Sequence, residues 1–394
     1  MFTETHNNAN DLDAQMIIRA VQFSQNNLAP IAKELDENNR CPVELFEAMR
    51  LRGFFGIAYP IHYGGSGLKV STAMRVISEI AKESAGLSLL LIVHWMAIDV
   101  ILKHGTEMQK KKYLKPLIRG EQIAAYSISE AIAGSDAMGI KMMAENQKDH
   151  WLINGAKYFV TNGAVADLFV VTCMEKILSE SLDSKANHQL FIVSKETKGL
   201  KITEHLDKMG CRSSSTTNLI LENARIHQDD FINGGIKGAL YGLEGGRLGM
   251  AAMGIGIAEA SFEKAITHAN QRKAYKKPIA ALYAIQEKMA NMHILLEGSK
   301  SLVEKACMKR ELGEAYGIEA AVAKVAVGSA VNEICYESVQ IMGGHGYLKT
   351  NPVERYSRDA RLMDIGVGTS EVNKMIIGNH ILKEGQRQIK NEKN

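Results

Sequence analysis

Along the first 120 residues, apolar side chains recur at spacings of three and four, the period of an amphipathic helix. The stretches DAQMIIRAVQFSQNNLAPIAKEL, VELFEAMRLRGFFGI and VSTAMRVISEIAKES follow it. AYPIHYGGSGL, with Pro60, Gly64, Gly65 and Gly67, breaks the pattern and predicts a loop. From residue 121 to 235 β-branched and aromatic residues cluster in short runs: HWLINGAKYFVTNG, DLFVVTC, QLFIVSK and TTNLILEN. These predict strands, and Asn154-Gly155 predicts a hairpin turn. The polar stretch EKILSESLDSKANH predicts an exposed loop between strands. From residue 236 the helical period returns. Leu248, Ala251, Ala252, Ile255, Phe262 and Ile266 predict one apolar stripe, rich enough in Gly and Ala to pack close to another backbone. Further helices run through YAIQEKMANMHILLEGSKSLVEKACMKR and IEAAVAKVAVGSAVNEICYESVQIMG. The order predicts an α+β protein: a helical domain over 1–120, a β-barrel or sandwich over 121–235 and a helical domain over 236–394.

Composition narrows the function. A net charge of +3 over 394 residues gives no footing for nucleic acid, and the KNEKN end reads as a solvated tail. The five cysteines have no paired spacing, which fits reduced thiols in the cytoplasm and argues against a zinc site or a disulfide framework. The polar N-terminus is no signal peptide. LSLLLIVHWMAIDVIL is short for a membrane span and carries His94 and Asp99, so a buried helix is expected, with His94 as a core histidine.

Four segments have residues suited to chemistry. AYSISEAIAGSDAMG gathers Ser127, Ser129, Ser135, Glu130 and Asp136 around Gly134, where hydroxyls and backbone N–H groups can grip a polar ring edge or a phosphate; a Ser-rich turn explains it equally well. In KYFVTNG, Phe159 and Thr161 share one face of a strand, which suits a flat heterocycle or plain cross-strand packing. QRKAYKKPI places Arg272, Lys273, Lys276 and Lys277 after a long helix, either as helix-end charges or as partners for a pyrophosphate. QIMGGHGY offers Gly343, Gly344 and Gly346 for close backbone approach.

Together these segments resemble the acyl-CoA dehydrogenase family over nearly the whole chain. SEAIAGSD is similar to its first signature, and QIMGGHGY with Arg355 and Asp359 to its second. FVTNG resembles its Trp-Ile-Thr flavin segment and GFFGIAYPIHYGGSG its N-terminal loop. The resemblance implies a helical N-terminal domain, a central β-barrel, a C-terminal four-helix bundle, one FAD per subunit and a homotetramer or homodimer. It places Tyr126, Ile128 and Ser129 along the isoalloxazine, Thr161 near flavin N5 and Phe159 on the ring. Arg272, Tyr275 and Gln286 would reach a neighbouring subunit's FAD, and Gln340, Gly343 and Gly344 its adenosine end. Thr369 and Glu371 would lie by the phosphates and ribose, at a helix N-terminus, with Ser135, Arg247 and Val367 on the substrate side.

One part of the pattern is missing. The family's reaction removes a proton α to a thioester carbonyl while a β-hydride passes to flavin N5, and it needs a carboxylate in a dry site. Most members carry Glu where this chain has Val367. The branch resembling isovaleryl-CoA dehydrogenases has Ile-Gly-Ala-Gly-Thr-Ser-Glu-Val there and moves its Glu to a helix, just before an Arg 25 residues ahead of the FAD-segment Arg. Arg247 and Arg272 keep that spacing, and Gly246 stands before Arg247. Both positions lack an acid. Glu244, read as lying at the start of its helix, is a substitute base set roughly 200° around the wheel from Gly246, or a helix N-terminal charge. Asp364 and Glu130 fit structural roles better. Ala131, Lys276 and His227 replace a common Pro, Gly and Pro. Two activities follow: dehydrogenation of an acyl thioester on CoA or a carrier protein, with an electron-transferring flavoprotein as acceptor, or a flavin oxygenase or oxidase that needs no thioester base. A non-catalytic flavin-binding or assembly partner is the third reading.

Overall fold

The computed structural model describes residues 2–176 and 187–391. Six helices open it: α1 Phe2–Phe23, α2 Ala32–Glu37, α3 Phe46–Leu51, α4 Val70–Ala81, α5 Ala85–His104 and α6 Glu107–Ile118. Helix α5 starts where the Ser84 hydroxyl accepts the Leu87 N–H, and α6 where Thr106 and Gln109 form a capping box. Among the described residues α5 alone is long and apolar enough to cross a membrane, but it is the centre of the core, with 94% of its apolar window buried.

Eight strands follow: β1 Ala124–Ser127, β2 Met143–Asn146, β3 His150–Thr161, β4 Leu168–Glu175, β5 His188–Ser194, β6 Leu200–Ile202, β7 Thr216–His227 and β8 Phe231–Ile232. They form one mixed sheet in the order β6-β7-β3-β2-β4-β5-β8, with β1 added beside β4. Strand β4 is buried on both faces. Leu168 and Val170 point to the helical core, and Phe169, Val171 and Cys173 to a separate core within the sheet domain. The stretch 177–186, most of the expected exposed loop, lies outside the described residues.

Asn154-Gly155 is not the hairpin turn expected. Strand β3 runs straight through it, and pairing with β7 slips between Ile153 and Gly155 in a β-bulge. Gly155, at φ +143°, takes a backbone shape that an Asn-Gly pair permits in a bulge as well as in a turn. The hairpin closes earlier instead, at Gln147–Asp149, where Lys148 has φ +72° and the Gln147 N–H donates to the His150 carbonyl.

The last zone holds α7 Gly235–Gln271, a short hairpin of β9 Lys273–Ala274 and β10 Lys277–Pro278, then α8 Tyr283–Glu311, α9 Gly317–Met342, α10 Val353–Ala360 and α11 Ser370–Asn391. Helix α7 lies against α5, α4, α8 and α9. Its small residues let it approach closely: a Cβ at Gly249 would sit 2.9 Å from Ile92, and one at Gly256 2.1 Å from the Ser78 carbonyl oxygen. The stripe Leu248, Ala251, Ala252 and Ile255 is buried and Phe262 half-buried, but Ile266 is exposed because the packed face at this end of the helix is the one that carries Ala265 and Ala269, both buried.

Candidate functional site

Gly246 and Val367, the two positions where relatives of this type place an acid, meet in space. A Cβ on Gly246 would lie 2.9 Å from Val367 Cγ1 and 2.7 Å from Met96 Sδ on α5. The spot is therefore one apolar niche, lined by Val367 and Met96, with Met250 beneath Gly366. Val367 has φ +54° and Gly368 +85°. A β-branched residue in the left-handed region is an outlier that survives only when its surroundings impose it. They do so here. The Gly368 carbonyl accepts from Lys324 Nζ at 2.8 Å and from Asn373 Nδ2 at 2.9 Å. On the other flank the Asp364 carboxylate accepts from Ser370 Oγ, Arg361 Nη1 and Asn332 Nδ2, so it is part of the scaffold.

Two buried cations lie close to this turn, with Asp364 and Glu371 at its flanks. Arg247 is buried, its Nε has no hydrogen-bond partner, and burial holds its pKa below the ordinary value. Lys324 is buried and its pKa is lowered to about 8, chiefly by burial. Glu244 is well inside α7 rather than at its start, since the helix begins at Gly235. Its carboxylate lies against Gly317, where a Cβ would be 2.7 Å from Oε1, so it sits beside the N-terminal end of α9 and not at the start of its own helix. Burial raises its pKa against the pull of Arg247 and Arg310. The structure thus turns Glu244 towards α9 and Gly246 towards Val367. One cluster escaped the sequence reading: Asp99 accepts from Tyr59 Oη and twice from Arg310 Nη2, all within 2.9 Å, beside a cavity of about 530 Å³.

The sheet domain brings the flavin-type residues together. Lys157 Nζ donates to the Ile128 carbonyl and to Glu130, and the Tyr158 N–H donates to the Ser129 carbonyl, so the first signature lies along β3. Burial pushes the Glu130 pKa up, but Lys157 and the N–H groups of Lys141 and Met142 outweigh it and hold it below normal. Tyr126 Oη donates to the Ala239 carbonyl, tying β1 to α7. Thr161 sits opposite Thr216. Phe159 has φ +56°, is held by its N–H to Asn218 Oδ1, and leaves its ring 68% exposed. Ser127 Oγ is buried without a partner. An exposed ring and an orphaned buried hydroxyl in the same sheet domain fit a flat polar heterocycle. Ser135 is exposed. At the start of α11 the Thr369 hydroxyl accepts the Val372 N–H and lowers the pKa of Glu371, after that residue's own backbone N–H.

A second group lies elsewhere on the surface. The His268 and His345 rings are 5.9 Å apart, and Arg272 is close enough to depress the His268 pKa after burial and His345 have done so. This places the end of α7 beside the second signature. Arg272, Tyr275, Gln286, Gln340, Gly343 and Gly344 are all exposed, and added Cβ atoms on Gly343 and Gly344 would meet nothing within 4 Å. Tyr275 and Lys276, at φ +53° and +68°, form a two-residue hairpin turn of the type that prefers Asn-Gly.

Comparison with known proteins agrees with this fold. The models described as the acyl-CoA dehydrogenase N-terminal, middle and C-terminal domains match residues 12–121, 125–224 and 233–382. A short-chain specific acyl-CoA dehydrogenase of Clostridium acetobutylicum is 36% identical over 92% of this chain and 96% of its own length. A 3-(aryl)acrylate reductase of Clostridium sporogenes is also 36% identical, over 97% and 100%. Butyryl-CoA dehydrogenase of Megasphaera elsdenii superposes with a TM-score of 0.91 at 32% identity, covering 94% of this chain and 98% of the other. A prolyl acyl carrier protein oxidase does so at 0.89 and 28%, with the same coverage. The chain belongs to the acyl-CoA dehydrogenase family, and it is an oxidoreductase.

Proposed function

We propose that the protein removes hydrogen from the α and β carbons of an acyl thioester, carried on CoA or on an acyl carrier protein. FAD is the cofactor, and the chemistry it supplies when bound is acceptance of the β-hydride. Phe159, Tyr126, Ile128, Ser129 and Thr161 would hold its ring, and Thr369 and Glu371 its phosphates and ribose. Arg272, Tyr275, Gln286, Gln340, Gly343 and Gly344 would serve the FAD of a second copy, in a homotetramer or homodimer. Ser135 and Arg247 would face the substrate.

The observation that carries this reading is the left-handed turn at Val367, kept at a cost of roughly 1–3 kcal/mol although its side chain has no acid–base use. Such a turn is worth keeping for its backbone, whose N–H at Val367 polarises the thioester carbonyl. An electron-transferring flavoprotein is the electron acceptor in this reading, and the compartment is the cytoplasm. The α-proton goes to a group other than residues 246 and 367, and Glu244 is the candidate along α7. A second reading, a flavin oxygenase or oxidase, is favoured by one observation: Val367 and Met96 fill the niche where a base would stand. Anaerobic addition of short, branched and medium acyl thioesters decides between them. Bleaching of the oxidised flavin band supports dehydrogenation, and slower bleaching in Glu244→Gln would identify the base. No bleaching by any thioester, with oxygen consumed after external reduction, supports the oxygenase.

A further inference from the structure

We propose that Lys324 is a positioning residue, whose buried ammonium holds the Gly368 carbonyl and so aims the backbone N–H groups of the Val367 turn at the substrate's carbonyl oxygen. This rests on the acyl-thioester reading. Lys324 is 1% exposed on α9, and the Gly368 carbonyl is its hydrogen-bond acceptor. A lysine buried with no carboxylate bonded to it is costly, so the contact it makes has to repay that cost. Asn373, 0% exposed on α11, places Nδ2 on the same oxygen. Two helices therefore converge on one carbonyl, and that carbonyl belongs to the residue directly after Val367.

The geometry gives this convergence a purpose. The Gly368 carbonyl and the Thr369 N–H share one peptide plane, so the two bonds to that carbonyl fix this donor, and the preceding plane, which carries the Gly368 N–H, is joined to it through Gly368, whose φ is +85°. Among the described residues no backbone or side-chain acceptor takes the N–H of Val367, Gly368 or Thr369. These donors are left to a ligand, and preorganised donors gain their strength from not having to move. Asp364 anchors the near side of the turn and Lys324 the far side. Lys324 touches neither reacting atom, so it acts through Gly368.

The test uses the FAD-loaded full chain and compares wild type with Lys324→Met and Lys324→Arg. Amide hydrogen exchange is read over residues 366–376. Lys324→Met is expected to keep its FAD and to exchange about tenfold faster in that segment alone. Anaerobic flavin bleaching at saturating acyl thioester should slow about 10²-fold, with little change in the half-saturating concentration, and Lys324→Arg should recover part of the rate. Unchanged exchange in the segment would overturn the proposal. So would a rate loss that merely tracks loss of FAD, or one that appears wholly as weaker binding. If no thioester bleaches wild type, the acyl-thioester reading fails by itself, while the exchange result still decides whether Lys324 holds the turn.

Discussion

Two of the described lysines are buried, and they are treated differently. Lys157, in the sheet domain, is 0% exposed and faces Glu130 at 2.8 Å, whose carboxylate also accepts the N–H groups of Lys141 and Met142. Lys324, beneath the Val367 turn, is 1% exposed and has one carbonyl. The first charge is matched on the spot and belongs to the scaffold. The second has no carboxylate bonded to it, and Asp364 and Glu371 act on it only from a distance, against the nearby buried cation Arg247. The contrast separates a charge matched within the sheet scaffold from one held on a carbonyl beneath the Val367 turn.

The strongest way to break this comparison is Lys157→Met. It strands Glu130 inside the protein and should cost about 3–5 kcal/mol, read by thermal or urea unfolding, with Glu130→Gln in the same chain restoring most of it. Lys324→Met should cost well under half as much, since it also removes a buried charge; equal losses would erase the distinction. The next effect is on pH. His94 is held neutral, with Nδ1 accepting the Ala124 N–H and Nε2 donating to the Leu117 carbonyl, and burial lowers its pKa to about 4. The unfolded chain takes up a proton near pH 6.5 and the folded one does not until about 4. Stability should therefore fall by about 3 kcal/mol as pH drops through that window and then level off. His94→Gln should flatten this step in an acid titration of stability.

The altered site is sharpened by Gly246→Glu. Alone it drives a side chain into Met96 and Val367, with an expected loss of about 1–3 kcal/mol in the melting measurement. Combined with Val367→Ala it should regain that stability and bleach with acyl thioester about 10²-fold faster, as a base restored to the niche would. The smallest effect is at the exposed turn. Lys276→Gly relieves a left-handed residue with no buried support and should add about 1 kcal/mol, without altering the rate of bleaching.

Much of this was legible in the chain. The shift of hydrophobic period near residues 120 and 235 marks where helices end at Ile118, strands begin at Ala124 and α7 starts at Gly235. The glycines and alanines of α7 announced close packing. Asn154-Gly155 misled because a bulge and a hairpin turn ask for the same backbone freedom. Glu244 misled because its helix starts earlier than the pattern suggests, at Gly235, and because the end of α9 beside it is remote in sequence. The filling of the niche by Met96 could not be read at all: α5 is apolar on every face, so nothing marks the side that meets α7. Lys324 did leave a sign that was overlooked. It stands in phase with Ala320, Ala321, Val327, Gly328 and Val331, on the buried stripe of α9.

The close seat of Gly256 on Ser78 has a consequence for how the chain is made. The first and third zones share one continuous hydrophobic core that also takes in Leu168, Val170, Leu190 and Ile192 from one face of the sheet, and the sheet has a second core of its own. Three zones are therefore two folding units. The helices synthesised first have to wait for the last third of the chain before their apolar faces are covered, and the sheet domain emerges and can close in the interval. A truncated N-terminal piece should accordingly behave as a sticky intermediate, not as a small domain.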